Sequence, residues 1–194
     1  MTLRGTRRVA ACLLVGSALL GGCSGGQPAS GTLPEVSPSA PETEAALEPL
    51  GPADLPMPDE ARTQDAAGAQ AFVRYYIALI NRTSTVMDAA PLREFSSGCQ
   101  ECDRIASNTE ADHSAGLRYG GGEIVITEAT QPLISDTRAE MAIRVDQDPL
   151  RVIDSAGEVN SELSSEAYRN LSGSATVVWD EGRDTWLMSG LSFE

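Results

Sequence analysis

The chain has 194 residues, a formal net charge of −14 and a sequence pI of about 4.4. Its 14 basic residues, all arginine, are outnumbered by 28 acidic ones. This balance argues against a nucleic-acid partner, which needs clustered basic side chains, and against docking of the domain itself on anionic lipid. The length allows one ordinary domain with accessory segments.

The first 22 residues have the form of an export signal. Arg4, Arg7 and Arg8 supply positive charge, and residues 9–20 form an uncharged stretch behind them. A membrane-spanning helix needs roughly 20 apolar residues, and this stretch is shorter. The segment 1–22 is therefore predicted to be a signal peptide that is removed on export.

The export signal ends in Leu20-Gly21-Gly22-Cys23, which resembles the lipobox of bacterial lipoproteins. The resemblance implies that the Cys23 thiol receives diacylglycerol and that Cys23 becomes the N-terminus after cleavage. Two or more acyl chains give stable attachment, since each buried CH₂ contributes about 0.8 kcal/mol. We expect a protein anchored by lipid to the extracytoplasmic face of the cell membrane. The alternative is an ordinary secretory signal with a chance cysteine.

Residues 23–58 have the composition of a tether. They hold eight of the 11 prolines and no aromatic residue, and all their ionisable side chains are acidic. Such a segment cannot bury enough apolar area to offset its ordering entropy. The composition predicts a lipidated, disordered, partly polyproline-like tether that holds the domain off the membrane. The folded domain is expected at residues 59–194.

The domain is expected to begin with helices. Asp59, Glu60 and Asp65 suit a helix N-terminus, where acidic side chains complement the dipole. A first helix is predicted to end in a turn at Asn81, a shorter helix or turn to follow over residues 86–95, and a third helix to span residues 103–117. The apolar stripe of the first helix has helical spacing and consists of Ala69, Phe72, Val73, Tyr76, Ile77 and Ile80.

Gly120-Gly121-Gly122 is expected to end the helical half, because the apolar period changes to two beyond it. Residues 138–146 alternate between apolar and charged side chains, as a half-solvated antiparallel strand does. Residues 180–184 form a Gly-containing hairpin loop. Helices followed by strands predict an α+β fold. Further strands are predicted at residues 123–130, 150–154, 174–180 and 185–193.

This order of elements looks like the ketosteroid-isomerase-like cone, in which a curved antiparallel sheet wraps around a long first helix. Residues 71–81 (AFVRYYIALIN) and 91–102 (PLREFSSGCQEC), together with the lipobox and the tether, resemble an uncharacterised family of actinobacterial lipoproteins. The resemblance covers most of the chain beyond residue 53. It implies no activity, and the cone fold hosts enzymes, binding modules and interaction domains alike.

Cys99-Gln100-Glu101-Cys102 is the most conspicuous motif of the domain. Export places it in an oxidising compartment, which favours a disulfide between Cys99 and Cys102. A thioredoxin-like redox role is the alternative, but that motif belongs between a strand and a helix. Structural zinc needs four ligands, and two cysteines with one histidine do not supply them. No metal or other cofactor is expected.

The remaining candidates do not form a catalytic set, so no catalytic residue is assigned. His113 is the only histidine, and no nucleophile motif accompanies it. Tyr75, Tyr76 and Asp146 match the residue types that ketosteroid-isomerase-like enzymes use, yet nothing selects them over other tyrosines and acids. Trp179 and Trp186 flank the last hairpin and are expected to pack in the core or on the sheet.

Two hypotheses of function follow. The first is a non-enzymatic envelope module that binds a protein or cell-wall partner, for which the tether supplies reach. The second is a small-ligand-binding protein or an enzyme that uses the mouth of the cone. The interior of the cone would distinguish the two hypotheses. An interior closed by side chains favours the first, and a pocket of a few hundred Å³ with convergent polar groups favours the second.

Overall fold

The structure, a computed structural model, describes residues 48–194. The predicted signal peptide, Cys23 and the first part of the predicted tether lie outside the described residues. A 3₁₀ turn at Asp59–Arg62 precedes three helices and eight strands in the described part. The helices are α1 (Ala66–Val86), α2 (Ala90–Glu94) and α3 (Gln100–Ser114). The strands are β1 (Arg118–Gly121), β2 (Ile124–Ala129), β3 (Leu133–Ser135), β4 (Arg138–Gln147), β5 (Leu150–Ile153), β6 (Val159–Ser165), β7 (Tyr168–Asp180) and β8 (Thr185–Phe193).

Helix α1 is the longest helix and has a well-defined start and end. The Asp65 side chain accepts a hydrogen bond from the Gly68 amide at 2.7 Å and caps the first turn. Met87, in the left-handed conformation, ends the helix by donating its N–H to the Thr83 carbonyl. The turn predicted at Asn81 is wrong, because the helix continues to Val86. The predicted apolar stripe is buried, as are Tyr75 and Leu79 beside it.

The main sheet is antiparallel and has the order β2-β4-β7-β8, with β3 paired to β4. Strand β4 alternates as predicted: Ala139, Met141, Ile143 and Val145 are buried, and the residues between them are exposed. A smaller antiparallel sheet has the order β1-β5-β6. The predicted α+β class, with N-terminal helices packed on antiparallel strands, is confirmed.

Several strands, or parts of strands, were not predicted from the sequence. Gly120 and Gly121, expected to end the helical half, instead lie in β1. Strand β3 has three residues and β6 is mostly polar, so neither carries an apolar period. Strand β7 begins at Tyr168, before the predicted residue 174. In each case the pairing of the strand with its neighbour outweighs a weak local signal.

The core lies between α1 and the main sheet. Phe72, Tyr76 and Trp186 are fully buried there. The Trp186 indole donates a hydrogen bond to the Thr63 carbonyl at 2.9 Å, and its ring meets Trp179 edge to face at 5.3 Å. The prediction that both tryptophans pack in the core or on the sheet is therefore confirmed.

Residues 48–58, called the strap below, are folded onto the domain although the sequence assigned them to the tether. Met57 is buried, and the Leu55 carbonyl accepts a hydrogen bond from the Tyr75 hydroxyl at 3.2 Å. Asp54 forms an ion pair with Arg82 of α1 at 2.9 Å. The expected domain boundary at residue 59 therefore falls inside the folded unit, because apolar residues among the prolines bury against the core.

Candidate ligand pocket

A cavity of about 210 Å³ opens between the C-terminal end of α1, helix α3 and the two sheets. We call it the α1–α3 pocket. Its apolar lining consists of Ile80, Ile105, Ile124, Leu150 and Phe193, with Gly122 among them. Its polar lining consists of Ser84, Glu101, Arg104, Asn108, Thr109, Tyr119 and Gln147. A second cavity of about 350 Å³ adjoins it, because both cavities share Ser84 and Gly122.

The wall formed by α3 is fixed by the expected disulfide, which joins Cys99 to Cys102. Both cysteines are buried, and the Cys99 sulfur caps the helix by accepting from the Cys102 amide at 3.2 Å. A four-residue covalent loop at the N-terminus restrains the first turn of α3. The pocket residues Glu101 and Arg104 are thereby held in or next to that restrained turn.

Glu101 and Arg104 neutralise one another at the rim. The Arg104 guanidinium donates two hydrogen bonds to the Glu101 carboxylate, one of them at 2.8 Å from Nε. This hydrogen bonding raises the pKa of Arg104 above its ordinary value. The two opposite charges lie side by side, so the pair presents little net charge to a ligand.

Tyr119 lines the pocket, and its hydroxyl proton is already used in a hydrogen bond within the protein. The hydroxyl donates to the Asp112 carboxylate. Burial, followed by the hydrogen bond to Asp112 and the charge of that carboxylate, raises the pKa of Tyr119 well above its usual range. The phenol is therefore protonated at neutral pH, and its oxygen retains lone pairs that can accept a hydrogen bond from a ligand.

The floor of the pocket is held by Asn81, which the helix places opposite the start of β2. Its side-chain amide donates to the Ile124 carbonyl at 2.8 Å and accepts from the Ile124 amide at 2.9 Å. Gly122 precedes this strand at φ +79°, where a Cβ would come within 2.7 Å of Leu150. A side chain at this position would therefore both strain the backbone and enter the pocket wall.

The residues cast as a possible acid and tyrosine pair are not brought together. The Tyr76 hydroxyl donates a hydrogen bond to the Leu92 carbonyl at 3.0 Å in the core. The Tyr75 hydroxyl donates one to the Leu55 carbonyl of the strap. The Asp146 carboxylate accepts from the Asn170 amide at 2.8 Å. His113 is exposed on α3. None of these four side chains lines the α1–α3 pocket.

Sequence reasoning missed the residues that form the pocket. Asn108, Tyr119 and Gln147 lie on α3, β1 and β4, and no local motif connects them. The glycine run at 120–122 was the one available signal, because it marks a close approach of backbone to a neighbouring side chain. Within residues 48–194, no group of three or more metal-ligating side chains comes together, and no helix is long and apolar enough to cross a bilayer.

Fold and site together define a small α+β domain with a mixed polar and apolar pocket beside its first helix. The chain belongs to a family of unknown function, DUF6318, whose model matches residues 53–192. The match begins inside the strap, which agrees with its place in the folded unit. The resemblance to an uncharacterised family is thus confirmed at this level. No curated protein matches the sequence.

The chain is similar to several solved structures at low sequence identity. The intermembrane space region of the chloroplast protein ARC6 is 16% identical, with a TM-score of 0.49 over 68% of this chain and 97% of that one. Aln2 from a Streptomyces species is 12% identical, with a TM-score of 0.40 over 64% and 90%. A protein from Catenulispora acidiphila is 9% identical, with a TM-score of 0.34 over 66% and 94%. Similarities of this degree carry no information about activity.

Proposed function

We propose that this protein is an exported lipoprotein of the cell envelope, anchored through Cys23, whose domain is a non-enzymatic binding module. The α1–α3 pocket is the observation that carries the binding role. The lipobox and the acidic, proline-rich segment behind Cys23 support the anchor. The ligand or partner is a component of the envelope within reach of that anchor.

The pocket supports the hypothesis of a small-ligand-binding protein more than that of an enzyme. The interior beside Phe72 and Trp186 is filled with side chains, but the end beside Ile80 is open. Ligand pockets are generally lined by apolar side chains with a few convergent polar groups, and this one has both. A ligand small enough for about 210 Å³ fits inside it, and a larger cell-wall partner can present such a group at its surface.

The chemistry of the lining supports binding over catalysis. General acid–base work needs a group with a pKa near the working pH. The Tyr119 pKa is displaced upwards by burial, away from that range. Arg104 is held by Glu101, and the amides of Asn108 and Gln147 and the hydroxyls of Ser84 and Thr109 complete the polar lining. These groups are suited to donating and accepting hydrogen bonds, not to transferring protons.

The anchor is tested by the variant Cys23→Ala. The native protein is expected to partition with membranes and to show a diacylated N-terminal cysteine by mass spectrometry. The variant is expected to leave the membrane fraction, because it lacks the attachment site for the acyl chains. Unchanged partitioning of Cys23→Ala would contradict the proposal.

The pocket is tested by filling it. Asn108 lies on the exposed side of α3 at the pocket rim, so Asn108→Trp inserts bulk without disturbing the core. His113→Trp is the matched control, because it is exposed on the same helix and outside the pocket. We expect native mass spectrometry of the detergent-extracted lipoprotein to show a bound small molecule in the wild type and in the control, and none in Asn108→Trp. The same spectrum for all three proteins would contradict the assignment of the pocket.

A further inference from the structure

The charge distribution disfavours an anionic ligand. Residues 1–47 contain three arginines and three glutamates, so the described domain carries the whole net charge of −14. The two arginines that line the cavities are already paired. Arg104 binds Glu101, and Arg82, in the second cavity, binds Asp54 at 2.9 Å and Asp88 at 3.3 Å. An anion would meet a negative domain without a free guanidinium to bind it.

Two side-chain amides supply the uncommitted hydrogen-bonding capacity of the pocket. Asn108 and Gln147 line it from α3 and from β4, on different elements. Within residues 48–194, no buried side-chain nitrogen or oxygen lacks a partner, so neither amide hides an unsatisfied atom in the protein. Each amide presents a donor and an acceptor side by side. This pair of groups matches a hydroxyl, which both donates and accepts.

Tyr119 adds a hydroxyl group whose proton is already donated within the protein. Its proton points to Asp112, so the phenol oxygen can serve a ligand as an acceptor and not as a donor. The raised pKa keeps that arrangement through neutral pH. Apolar surface from Ile105, Leu150 and Phe193 completes the lining. The pocket therefore combines hydrogen-bonding edges with an apolar face.

On the basis of the proposed binding function, we infer that the α1–α3 pocket takes one uncharged, hydroxyl-bearing ring, of the chemistry of a neutral sugar residue. A sugar ring offers C–H groups to an apolar surface and hydroxyl groups along its edge. The volume of about 210 Å³ lies below the roughly 300 Å³ at which pockets for drug-sized ligands begin, so it suits one ring better than several. Asn108, Gln147 and Tyr119 bind the hydroxyl groups.

The test uses the full lipoprotein with its anchor, in a detergent whose headgroup is not a sugar. Calorimetry or ligand-observed NMR measures the binding of galactose, N-acetylglucosamine and arabinose as neutral probes. Galacturonate serves as the anionic counterpart of galactose, because it differs from galactose by one carboxylate. At least one neutral sugar is expected to bind, and galacturonate is expected to bind at least tenfold more weakly than galactose.

A matched pair of variants locates the site. Gln147→Leu removes an amide from the pocket, and Gln131→Leu makes the same change in an exposed loop outside it. Loss of one hydrogen-bonding group, worth about 1.4 kcal/mol, corresponds to about tenfold weaker binding. We expect this loss for Gln147→Leu and less than a twofold change for Gln131→Leu.

The outcomes separate this inference from the proposed function. Galacturonate binding as tightly as galactose, or unchanged binding in Gln147→Leu, would overturn the ligand class. Absence of neutral-sugar binding, with a bound small molecule still found by native mass spectrometry, would overturn the sugar and leave the pocket function standing. Absence of both would overturn the sugar and the pocket together.

Discussion

The two ends of α1 meet the rest of the domain in different ways. In its N-terminal half Phe72 is fully buried, and so is Tyr76 at the middle of the helix. At the C-terminal end, Ser84 faces a cavity and Asn81 bonds to the start of β2. The C-terminal half also buries Leu79 and Thr83, but there the α1–α3 pocket opens beside Ile80 and Ser84; we call this part the open end and the part around Phe72 and Tyr76 the filled end. The size and polarity of the side chains on its inner face decide which end is filled.

The filled end of α1 is expected to contribute mainly to stability, and the open end, under the proposed function, to ligand binding. Large apolar side chains at the filled end, such as Phe72, contribute strongly to the free energy of unfolding, whereas Asn81 and Ser84 at the open end form hydrogen bonds. Substitutions at the filled end should lower stability strongly. Substitutions at the open end should cost less stability and should alter the pocket instead.

The largest effect is expected for Phe72→Ala. Removing a fully buried aromatic side chain costs its transfer free energy and leaves a cavity, so unfolding should become easier by about 3–5 kcal/mol. Urea unfolding followed by tryptophan fluorescence measures the change. Arg74→Ala, exposed on the same helix, is the control and should stay within about 0.5 kcal/mol. Equal losses in both variants would show that burial of Phe72 at the filled end does not carry the stability.

The disulfide should contribute the next largest effect, at the open end. Replacing both Cys99 and Cys102 by serine releases the first turn of α3 and should cost about 2 kcal/mol. Because both cysteines are buried, the bond itself is checked by alkylating the protein after unfolding without reductant. Neither cysteine should be labelled, and labelling of both would contradict the disulfide.

Asn81→Ala tests the junction between the two ends. It removes two hydrogen bonds to the backbone of Ile124 and should cost about 1–2 kcal/mol. Amide hydrogen exchange should rise at the start of β2 more than at the N-terminal end of α1. Asn108→Ala, exposed at the rim, should change stability by less than about 0.5 kcal/mol. Exchange that rises evenly along α1 would show that the two ends are not independent.

The smallest effect concerns the ion pair between Asp54 and Arg82. The hydrogen bond from Arg82 lowers the pKa of Asp54, so the carboxyl binds its proton less readily in the folded chain than in the unfolded one. The stabilisation is therefore present above the ordinary Asp pKa of about 4 and is lost as pH falls through the lower, folded value.

NMR of the Arg82 Nε–H group measures this titration. Its midpoint should lie below pH 3.8, the ordinary value for the carboxyl. Asp54→Asn should abolish the transition at Nε, since Asp88 contacts a different nitrogen, Nη1. A midpoint at or above 3.8 in the native chain would show that the pair does not form.

The sequence predicted those parts of the fold that have a strong period. The stripe of α1 and the alternation of β4 were readable because burial on one face repeats every 3.6 or every two residues. The end of α1 was misplaced because Asn81 suits a turn locally, and its partner Ile124 lies 43 positions away. The strap was assigned to the tether because proline content outweighed three apolar residues, Leu50, Leu55 and Met57.

The pocket was less predictable than the fold. The disulfide could be expected from two cysteines and the export signal. Asn108, Tyr119 and Gln147 belong to three elements whose meeting depends on the pairing of β1 with β5 and of β2 with β4. No spacing along the chain encodes that meeting. The residues of such a site can therefore be identified once the pairing of the strands is known.

The strap also determines where a mechanical load enters the domain. A force transmitted along the chain from the proposed anchor at Cys23 would reach residues 48–58 before it reached a helix or strand of the described domain. Those residues grip the domain through Met57 at the filled end of α1 and through the Asp54–Arg82 pair. Arg82 also borders the cavity next to the α1–α3 pocket. Tension on the proposed anchor and occupancy of that cavity would therefore both reach this side chain.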